Sequence, residues 1–413
     1  MNDLLIRNAV SADGHAVDIL ILKGAIASVS PPSASPPPAV ESIDAAGALA
    51  VPSFVETHLH VDKALLGGAA DSLEKAIAVT AEQKRRFTTA GVTARGESLL
   101  VSALTAGTTH IRAHTEIDPV VGLTSVHALL DLRGRWNERM RLQIAAFPQE
   151  GIEARPGTLP LLREALAIPD TVVGGCPYVE VDAAAARRHI STVLDLAAEF
   201  NTTADMHLDF ADHLEDDRFV MAEHVAQAVI ERGLEGRVSI GHVTTLGLME
   251  PERRTRVIST LAAAAVTVTI LPATDLFLTQ RTGRAHPFRG LAPARDLHAA
   301  GINVALSSNN VRNAFTPSGN ADPVDIGRLL ARLTYASTSD DCRWILGMLT
   351  DAGRRAMDPN TAVGLREGAA GDIVLLGGAS GDDAVFTPPT SRTVVKDGRV
   401  VARTRNDSWL API

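Results

Sequence analysis

Cysteine is scarce in this sequence of 413 residues, where only Cys176 and Cys342 occur and they form no CxxC pair. So low a count excludes a disulfide-stabilised scaffold, and we expect both thiols to be buried small side chains. No apolar run approaches the roughly 18 residues that a membrane helix needs. The first residues lack a basic segment followed by an apolar one, so no secretory leader is expected. Together these absences predict a cytoplasmic protein that does not bind membranes.

Runs of basic residues are also missing, and the formal net charge is −9. Nucleic acid is therefore not an expected partner. No GxGxxG phosphate loop is present, which leaves a doubly wound open sheet without its usual sequence support. Proline clusters at 31–38, where we expect an exposed loop. Apolar residues, in contrast, make up 46% of the chain, enough for a large buried core.

Both ends of the chain carry stretches typical of β-strands. Ala16–Leu22 is one of them, and Thr393–Val401 is another that contains an Asp-Gly turn. The middle of the chain does not share this β-rich character. The economical interpretation is a small β-sandwich domain, formed by residues 1–53 together with 359–413, into which the middle is inserted.

The middle, residues 54–358, alternates between helical and strand-like segments. Helices are predicted over Asp71–Ala90 and Ala183–Glu199, where apolar residues recur every three or four positions. Continuous apolar strands that alternate with helices indicate a parallel sheet covered on both faces. A unit of about 30–40 residues repeated over roughly 300 favours a closed (β/α)8 barrel of the TIM type. The predicted strands include Thr108–Ala113, Leu142–Phe147, Thr171–Gly174, Val238–Ile240, Val266–Leu271 and Ile302–Leu306.

Histidines stand at the ends of three predicted strands. His58 and His60 are two residues apart, so both side chains point to the same face of their strand. His207 with Asp209 closes a second strand, and His242 closes a third. One such histidine alone is more often a packed core residue than a ligand. In a barrel, however, all these strand ends converge on one mouth, which predicts a metal site formed by imidazoles.

Several segments give this constellation a family resemblance. Phe54–Lys63, FVETHLHVDK, resembles the first metal motif of the cytosine deaminases and of the related N-alkyl ammelide amidohydrolases. Ala146–Gly151, AFPQEG, is similar to a segment whose glutamine, here Gln149, binds the amide edge of the pyrimidine in the deaminases. GHVT at 241–244 and SSNNV at 307–311 follow in the family's order. The resemblance covers essentially the whole chain and implies a metal-dependent amidohydrolase.

The resemblance implies one divalent metal ion, zinc or iron, bound by His58, His60, His207 and the residue at position 309. Water on such an ion is acidified to near neutrality and attacks an amidine or amide carbon. In the family, position 309 is an aspartate that takes the proton of this water and passes it to the departing nitrogen. The family's counterpart of His242 holds the water or the leaving group.

Two positions depart from the family pattern. Asn309 replaces the aspartate, and an amide can offer an oxygen to a metal but cannot accept a proton near neutral pH. Phe210 replaces the general-acid glutamate of the deaminases and cannot donate a proton at all. His242 and Asp209 are therefore the candidates for proton transfer. Cytosine itself is not the expected substrate.

Four residues are predicted to bind the substrate: Gln149, Lys63, Asp275 and Phe210. Lys63 matches a pocket lysine of the ammelide hydrolases, unless it is a solvated loop lysine. Asp275 either lines the pocket or caps a helix. Gln149 either binds the substrate or bonds the barrel backbone. A basic loop forms either a lid over a carbonyl-rich ring or a solvated loop, and its members are Arg281, Arg284, His286 and Arg289.

The predicted function is metal-dependent hydrolysis of a non-peptide C–N bond in a small nitrogen heterocycle, with deamination of a cytosine-like ring as the first choice. Hydrolysis of a cyclic amide or an N-alkyl group is the alternative within the same class. A catalytically impaired barrel that binds a heterocycle without turnover is the alternative from another class. The expected partner is the small heterocyclic substrate alone, and whether the chain forms a homo-oligomer is left open.

Overall fold

The computed structural model describes residues 3–34, 41–279 and 290–411. Within these ranges the strands form two sheets of eight strands each. One sheet is the parallel wall of a barrel, and the other is built from the two ends of the chain. The second half of the predicted proline-rich loop and the predicted basic loop at 281–289 lie outside the described residues.

The terminal sheet joins the two ends of the chain by direct strand pairing. Its apolar side packs together as a small core of its own, in which Ile19 and Ile373 are fully buried. The strands are β1 (Leu4–Val10), β2 (Ala16–Leu22), β3 (Ala25–Ser30), β4 (Glu41–Asp44), β5 (Leu49–Pro52), β14 (Ile373–Gly377), β15 (Ser391–Lys396) and β16 (Arg399–Arg405).

The strands of this predicted small β-sandwich domain belong to one hydrogen-bonded sheet. The order is β16-β15-β14-β5-β1-β2-β3, with β4 beside β1. The antiparallel pairing of β5 with β14 makes the sheet continuous, since it joins the two terminal segments edge to edge. At the predicted Asp-Gly turn, Asp397 and Gly398 have φ of 50° and 73°, as a two-residue hairpin of type I′ requires. A small β-domain from both termini is thus confirmed, while its boundaries after residues 53 and 358 stay a prediction.

The barrel strands follow one another in sequence order and are all parallel. The seam is closed where the chain just after the last strand meets the first strand: His60 N donates to Asn309 O at 2.8 Å, and Asn309 N donates to His58 O at 3.1 Å. Glu56 reinforces this seam, because its carboxylate accepts from the hydroxyls of Ser307 and Ser308. The strands are β6 (Phe54–Leu59), β7 (Thr108–Glu116), β8 (Arg141–Phe147), β9 (Thr171–Gly175), β10 (Ala204–Leu208), β11 (Val238–His242), β12 (Thr267–Ile270) and β13 (Val304–Leu306).

Helices cover the outside of the barrel. The prediction of one long helix over Asp71–Ala90 is wrong, because two helices occupy this stretch. The chain leaves the helix after Lys84 and starts a new one at Thr89, because the hydroxyl of Thr88 caps the second helix by accepting from Gly91 N. The helices are α1 (Leu73–Lys84), α2 (Thr89–Thr105), α3 (Thr124–Trp136), α4 (Thr158–Leu166), α5 (Ala183–Glu199), α6 (Ala222–Glu231), α7 (Pro251–Ala263), α8 (Pro272–Leu278), α9 (Ala294–Ala299), α10 (Pro323–Leu333), α11 (Ser339–Leu349) and α12 (Asp351–Met357).

The structure agrees with the predictions made from the scarce cysteines and from the lack of long apolar runs. Cys176 and Cys342 are both buried and unpaired by disulfides, as predicted. In the described part of the chain, no helix combines the length and the apolarity needed to cross a bilayer. The predicted helix Ala183–Glu199 is present with the same bounds, and Asp182 caps it by accepting from Ala185 N.

Candidate active site

Three imidazoles converge at the carboxyl-terminal mouth of the barrel. His207 Nε2 lies 3.0 Å from His58 Nε2 and 2.9 Å from His60 Nε2. Two nitrogens bound to one tetrahedral ion, each about 2.1 Å from it, are about 3.4 Å apart, so these separations are slightly shorter than that spacing. His242 is close by, since one of its ring nitrogens lies within 4.8 Å of those of His58 and His207. His58, His207 and His242 thus offer nitrogens close enough for one metal ion, and His60 joins this cluster through its contact with His207.

The opposite ring nitrogens of two histidines have partners that select the tautomer. His58 Nδ1 lies 3.1 Å from Asp205 Oδ1, and His60 Nδ1 lies 3.2 Å from the carbonyl oxygen of His114. Because these oxygens accept, each Nδ1 carries the hydrogen and each Nε2 keeps a lone pair for a metal. Burial lowers the pKa of His58 to about 3 and the pKa values of His60 and His207 well below their usual range. The rings are thus neutral, as ligation requires.

Asp205 is itself fixed by a fully buried arginine. Arg112 Nη1 lies 2.8 Å from Asp205 Oδ2, and Nη2 of the same guanidinium donates to the carbonyl of Ala356 at 2.8 Å. Although burial raises the pKa of Asp205, the adjacent His114 and His58 hold it well below its usual range. A charged carboxylate, held in place from behind, therefore orients the ring of His58.

His242 has a carboxylate on one side and an amide on the other. Its Nδ1 lies 2.6 Å from Asp275 Oδ1, so Nδ1 carries the hydrogen and Nε2 keeps its lone pair. Asn309 Nδ2 lies 3.5 Å from that Nε2, which turns the amide nitrogen toward His242. Among the described residues, Asn309 Oδ1 is buried without a hydrogen-bond partner. Because this buried oxygen has no partner among those residues and lies beside neutral imidazoles, it is suited to serve as a further ligand of a metal ion.

The backbone is strained at the strand ends that carry these side chains. His242 has φ of 71° and Asn309 has φ of 59°, in the left-handed region that side chains with a Cβ seldom adopt. Such conformations cost of order 1–3 kcal/mol each and cluster at functional sites, where the surrounding structure enforces them. The strain at these two positions is therefore consistent with a site whose side-chain directions matter more than local stability.

Aromatic rings pack against two of the histidines beside a narrow cavity. Phe210 stacks on His242, with ring centroids 4.1 Å apart and planes at 13°, and Phe147 stacks on His207 at 4.2 Å and 28°. The cavity is small, with a volume of about 20 Å³, which is well below the usual range for small-molecule sites. Its wall includes His60, His207, His242, Phe147, Gln149, Cys176, Tyr178, Phe210, Asn309, Phe315 and, from α1, Leu73 and Ile77.

The four predicted substrate-binding residues are placed at different depths. Gln149 and Phe210 line the cavity directly. Lys63 is only 1% exposed, so it is not a solvated loop lysine. It lies behind Gln149, and its Nζ donates to Gln149 Oε1. Asp275 is neither a pocket wall nor a helix cap, because it lies inside α8 and bonds His242.

Asp209, predicted as a catalytic residue, is brought to a helix terminus. Its Oδ1 accepts from Met221 N at 2.8 Å and its Oδ2 accepts from Ala222 N at 2.9 Å, where α6 begins. Burial raises the pKa of Asp209 to about 7. Within the described residues it is not part of the cavity wall. Of the two candidates for proton transfer, the structure places His242 in the cavity and Asp209 outside it.

Sequence reasoning missed Arg112, His114 and Glu116 on β7, as well as Asp205 on β10. The signal that would have found them is the alternation along a strand. Polar residues occupy every second position from His110 to Glu116, while Ile111 and Ala113 face the outer core. Asp205 likewise precedes His207 by two residues, so the two side chains share the inner face of the barrel.

The fold and the imidazole cluster define a metal-dependent hydrolase barrel, and comparison with known families agrees. The amidohydrolase family model matches residues 69–402, so the chain belongs to the amidohydrolase family. The predicted resemblance is thereby confirmed, as is the class of hydrolase that acts on carbon–nitrogen bonds. The family is metal-dependent, and the described residues provide a candidate metal site.

Similar proteins match along nearly the whole chain. A pterin deaminase of Rhizobium rhizogenes is 26% identical over 426 residues, covering 98% of this chain and 90% of the relative. An N-isopropylammelide isopropyl amidohydrolase of Pseudomonas sp. is 25% identical over 423 residues, covering 97% of both. The solved structure of 5-methylcytosine deaminase from Klebsiella pneumoniae, liganded with 5-fluorocytosine, superposes with a TM-score of 0.89 at 25% identity, covering 99% of both chains. The predicted barrel with a small terminal β-domain is therefore confirmed.

Proposed function

We propose that this amidohydrolase hydrolyses an exocyclic C–N bond of a small nitrogen heterocycle, with deamination of a cytosine-like ring as the first choice. The observation that carries the proposal is the histidine cluster beside a narrow cavity, in which His58, His207 and His242 offer nitrogens close enough for one ion and His60 Nε2 contacts His207 Nε2. The names of the full-length relatives support it, because they are deaminases and amidohydrolases of pterin, cytosine and ammelide compounds.

The three imidazoles, together with Asn309 Oδ1, would hold one divalent ion, and zinc and iron both suit imidazole ligands. Such an ion acidifies a water molecule to near neutrality and makes it a nucleophile for a ring carbon. The neutral tautomers of His58 and His60 favour this binding, since each keeps its Nε2 lone pair toward the cluster.

Proton transfer falls to the pair formed by His242 and Asp275. His242 Nε2 keeps a lone pair at the cavity, so it can take the proton of the attacking water and return it to the departing nitrogen. Asp275 holds Nδ1–H and stabilises the imidazolium that forms. Phe210 stacks on the ring and keeps its plane fixed. This pair replaces the acid and the base that Phe210 and Asn309 cannot supply.

Substrate orientation falls to Gln149, whose amide reaches the cavity beside apolar walls. A flat ring would stack on the aromatic part of such walls, and a ring with a carbonyl next to a ring nitrogen offers hydrogen-bonding groups that an amide side chain can match. Hydrolysis of an N-alkyl group on such a ring is the second candidate. It is favoured because the match to the isopropyl amidohydrolase covers 97% of that protein. It is also favoured because Lys63, which matches a pocket lysine of the ammelide hydrolases, is buried.

The decisive experiment joins metal analysis with product detection. Purified protein is analysed for zinc and iron, and then incubated with cytosine, 5-methylcytosine, pterin and N-isopropylammelide. Release of ammonia from the amino rings supports deamination, whereas isopropylamine from the last compound supports N-alkyl hydrolysis. A protein that binds these rings but holds no metal and releases neither amine contradicts the proposal and favours a binding module. A cytoplasmic location stays a prediction, and the oligomeric state stays open.

A further inference from the structure

Behind the substrate cavity, a cluster of buried charges surrounds Lys84, the last residue of α1. Its Nζ lies 2.6 Å from Glu116 Oε1 and also contacts the carboxylates of Asp118 and Glu150. The carboxylate oxygens of Glu116, Asp118 and Glu150 lie within 4.8 Å of one another, which is close enough to bind a cation. The ammonium group of Lys84, however, already supplies the positive charge. Because unpaired buried charges are strongly unfavourable, the three acids and the lysine depend on one another.

Glu116 connects this cluster to a second buried lysine. Its Oε1 faces Lys84, and its Oε2 lies 3.1 Å from Lys63 Nζ. In the described contacts, Asp118 and Glu150 pair with Lys84 and not with Lys63. Glu116 is therefore the carboxylate through which the charge cluster holds Lys63 in position.

Lys63 in turn determines how Gln149 meets the cavity. Lys63 Nζ donates to Gln149 Oε1, and it lies 5.3 Å from the ring centroid of Phe147 and 6.0 Å from that of Phe315, which both line the cavity. An ammonium group has donors and no acceptor, so it must face the oxygen end of the amide. The amide nitrogen of Gln149, a donor, is left for a ligand.

We propose that Glu116 is a positioning residue that makes this site select heterocycles with a ring carbonyl. By holding Lys63, it keeps the oxygen of Gln149 occupied and presents the amide N–H, backed by a positive charge, to the substrate. The matching ligand group is an acceptor with partial negative charge, such as a lactam oxygen. A ring that lacks this oxygen leaves a buried donor unpaired. The inference deepens the proposed function, on which it rests for the nature of the substrate.

Two isosteric variants separate this role from general support of the fold. Glu116→Gln removes the carboxylate that joins both lysines, whereas Asp118→Asn removes one that contacts Lys84 alone. Each loses one negative charge from the same cluster. The probes are cytosine and 4-aminopyrimidine, which lacks the ring carbonyl, and their dissociation constants are measured by calorimetry on the metal-loaded protein.

The wild type should bind cytosine about tenfold or more tightly than 4-aminopyrimidine, as expected for a hydrogen bond to a charge-supported donor. Glu116→Gln should reduce that preference to less than about threefold, and Asp118→Asn should keep it. For any substrate of the panel that carries a ring carbonyl, Glu116→Gln should raise KM while kcat and metal content change little. A merely structural role would not move KM alone.

A Glu116→Gln variant that retains the preference would overturn the inference, as would a wild type that shows none. Should Glu116→Gln fail to fold, Glu116→Asp keeps the charge but shortens the side chain, and it should lose part of the preference. The two proposals fail separately. Selective binding of cytosine without amine release from any compound would refute the function alone, whereas turnover with an unchanged preference in Glu116→Gln would refute the role of Glu116 alone.

Discussion

Two sides of the cavity carry charge in different ways. On the imidazole side His58, His60 and His207 are neutral rings, and the ionised pair of Arg112 and Asp205 lies one layer further back. On the lysine side the ionised groups are in direct contact with one another, and only the neutral amide of Gln149 reaches the cavity. The imidazole side consists of His58, His60, His207 and His242, and the lysine side consists of Lys63, Lys84, Glu116, Asp118 and Glu150.

The difference assigns separate tasks to the two sides. Neutral rings with free lone pairs attract a cation, so the imidazole side can take up an ion without first breaking ion pairs. The lysine side is already balanced by its own charges and orients one donor toward the substrate. Removing one member of a buried ion pair typically costs about 3–5 kcal/mol, because its partner stays buried and uncompensated. Changes at neutral rings should therefore affect function more than stability.

The largest effect should come from the double change His58→Ala and His60→Ala. Removing two of the three converging nitrogens leaves too few ligands for a divalent ion, so metal content should fall from about one ion per chain to none. Amine release should disappear with it, while the melting temperature of the metal-free protein changes little. His127→Ala, on the exposed face of α3, is the control and should keep its metal. A stoichiometric ion in the double variant would remove both histidines from the site.

Asp275→Asn tests whether His242 works with a carboxylate behind it. An amide oxygen at the same place still accepts from Nδ1–H, but it no longer stabilises the imidazolium. We expect kcat to fall by about 10²–10⁴-fold, the usual worth of general acid–base help, with metal content unchanged. Asp296→Asn on α9, an exposed aspartate, serves as the control. Equal rates for wild type and Asp275→Asn would show that another group moves the proton.

Asp205→Asn should lower both metal affinity and stability, because Asp205 connects the imidazole side to the buried charge of Arg112. The His58 ring loses the carboxylate that orients it, which typically lowers metal affinity by about 10–100-fold. Arg112 is left buried without its partner, so the melting temperature should also fall. Asp209→Asn, four residues along, is the matched control because Asp209 caps a helix, and metal titration should find its affinity unchanged. A loss of affinity in Asp209→Asn would return that residue to the site.

The terminal sheet and the barrel were predictable because alternation and turn chemistry are local signals. Asp397-Gly398 encodes its hairpin directly, and the apolar strands repeat along the middle of the chain. The meeting of His58, His60 and His207 was predictable because strand ends meet at one mouth, whichever helices lie between them; their binding of a metal stays a prediction. The break after Lys84 was missed, since apolar spacing continues through it and the Thr88 cap outweighs that pattern.

The partners of the site could not be predicted from spacing alone. Asp275 is 33 residues from His242, and Glu116 is 32 residues from Lys84, so nothing local pairs them. Each pairing depends on how far a loop or a helix end reaches over the barrel mouth. Asp209 misled for the opposite reason: it follows His207 by two residues, yet its positive φ of 51° turns the carboxylate toward α6.

The smallest effect, and the one that sharpens the comparison most, concerns Asn309→Asp. The change would place a negative charge on the imidazole side, where the wild type offers only neutral ligands. Charge-assisted ligation should then tighten metal binding, by about tenfold, as measured by titration with a competing chelator. The effect is modest because the three imidazoles already provide most of the ligands.

The same change alters the neighbour of His242. Asn309 Nδ2 now faces His242 Nε2 as a donor, whereas an aspartate offers only acceptors and would favour a hydrogen on that nitrogen. The variant thus gains a carboxylate that can accept a proton but loses the lone pair of His242 Nε2 as an acceptor, and Phe210 still supplies no acid. Deaminase rates should therefore rise only slightly, if at all, while metal affinity increases. If the affinity stays the same, Asn309 does not bind the metal, and its oxygen has another role in the cavity.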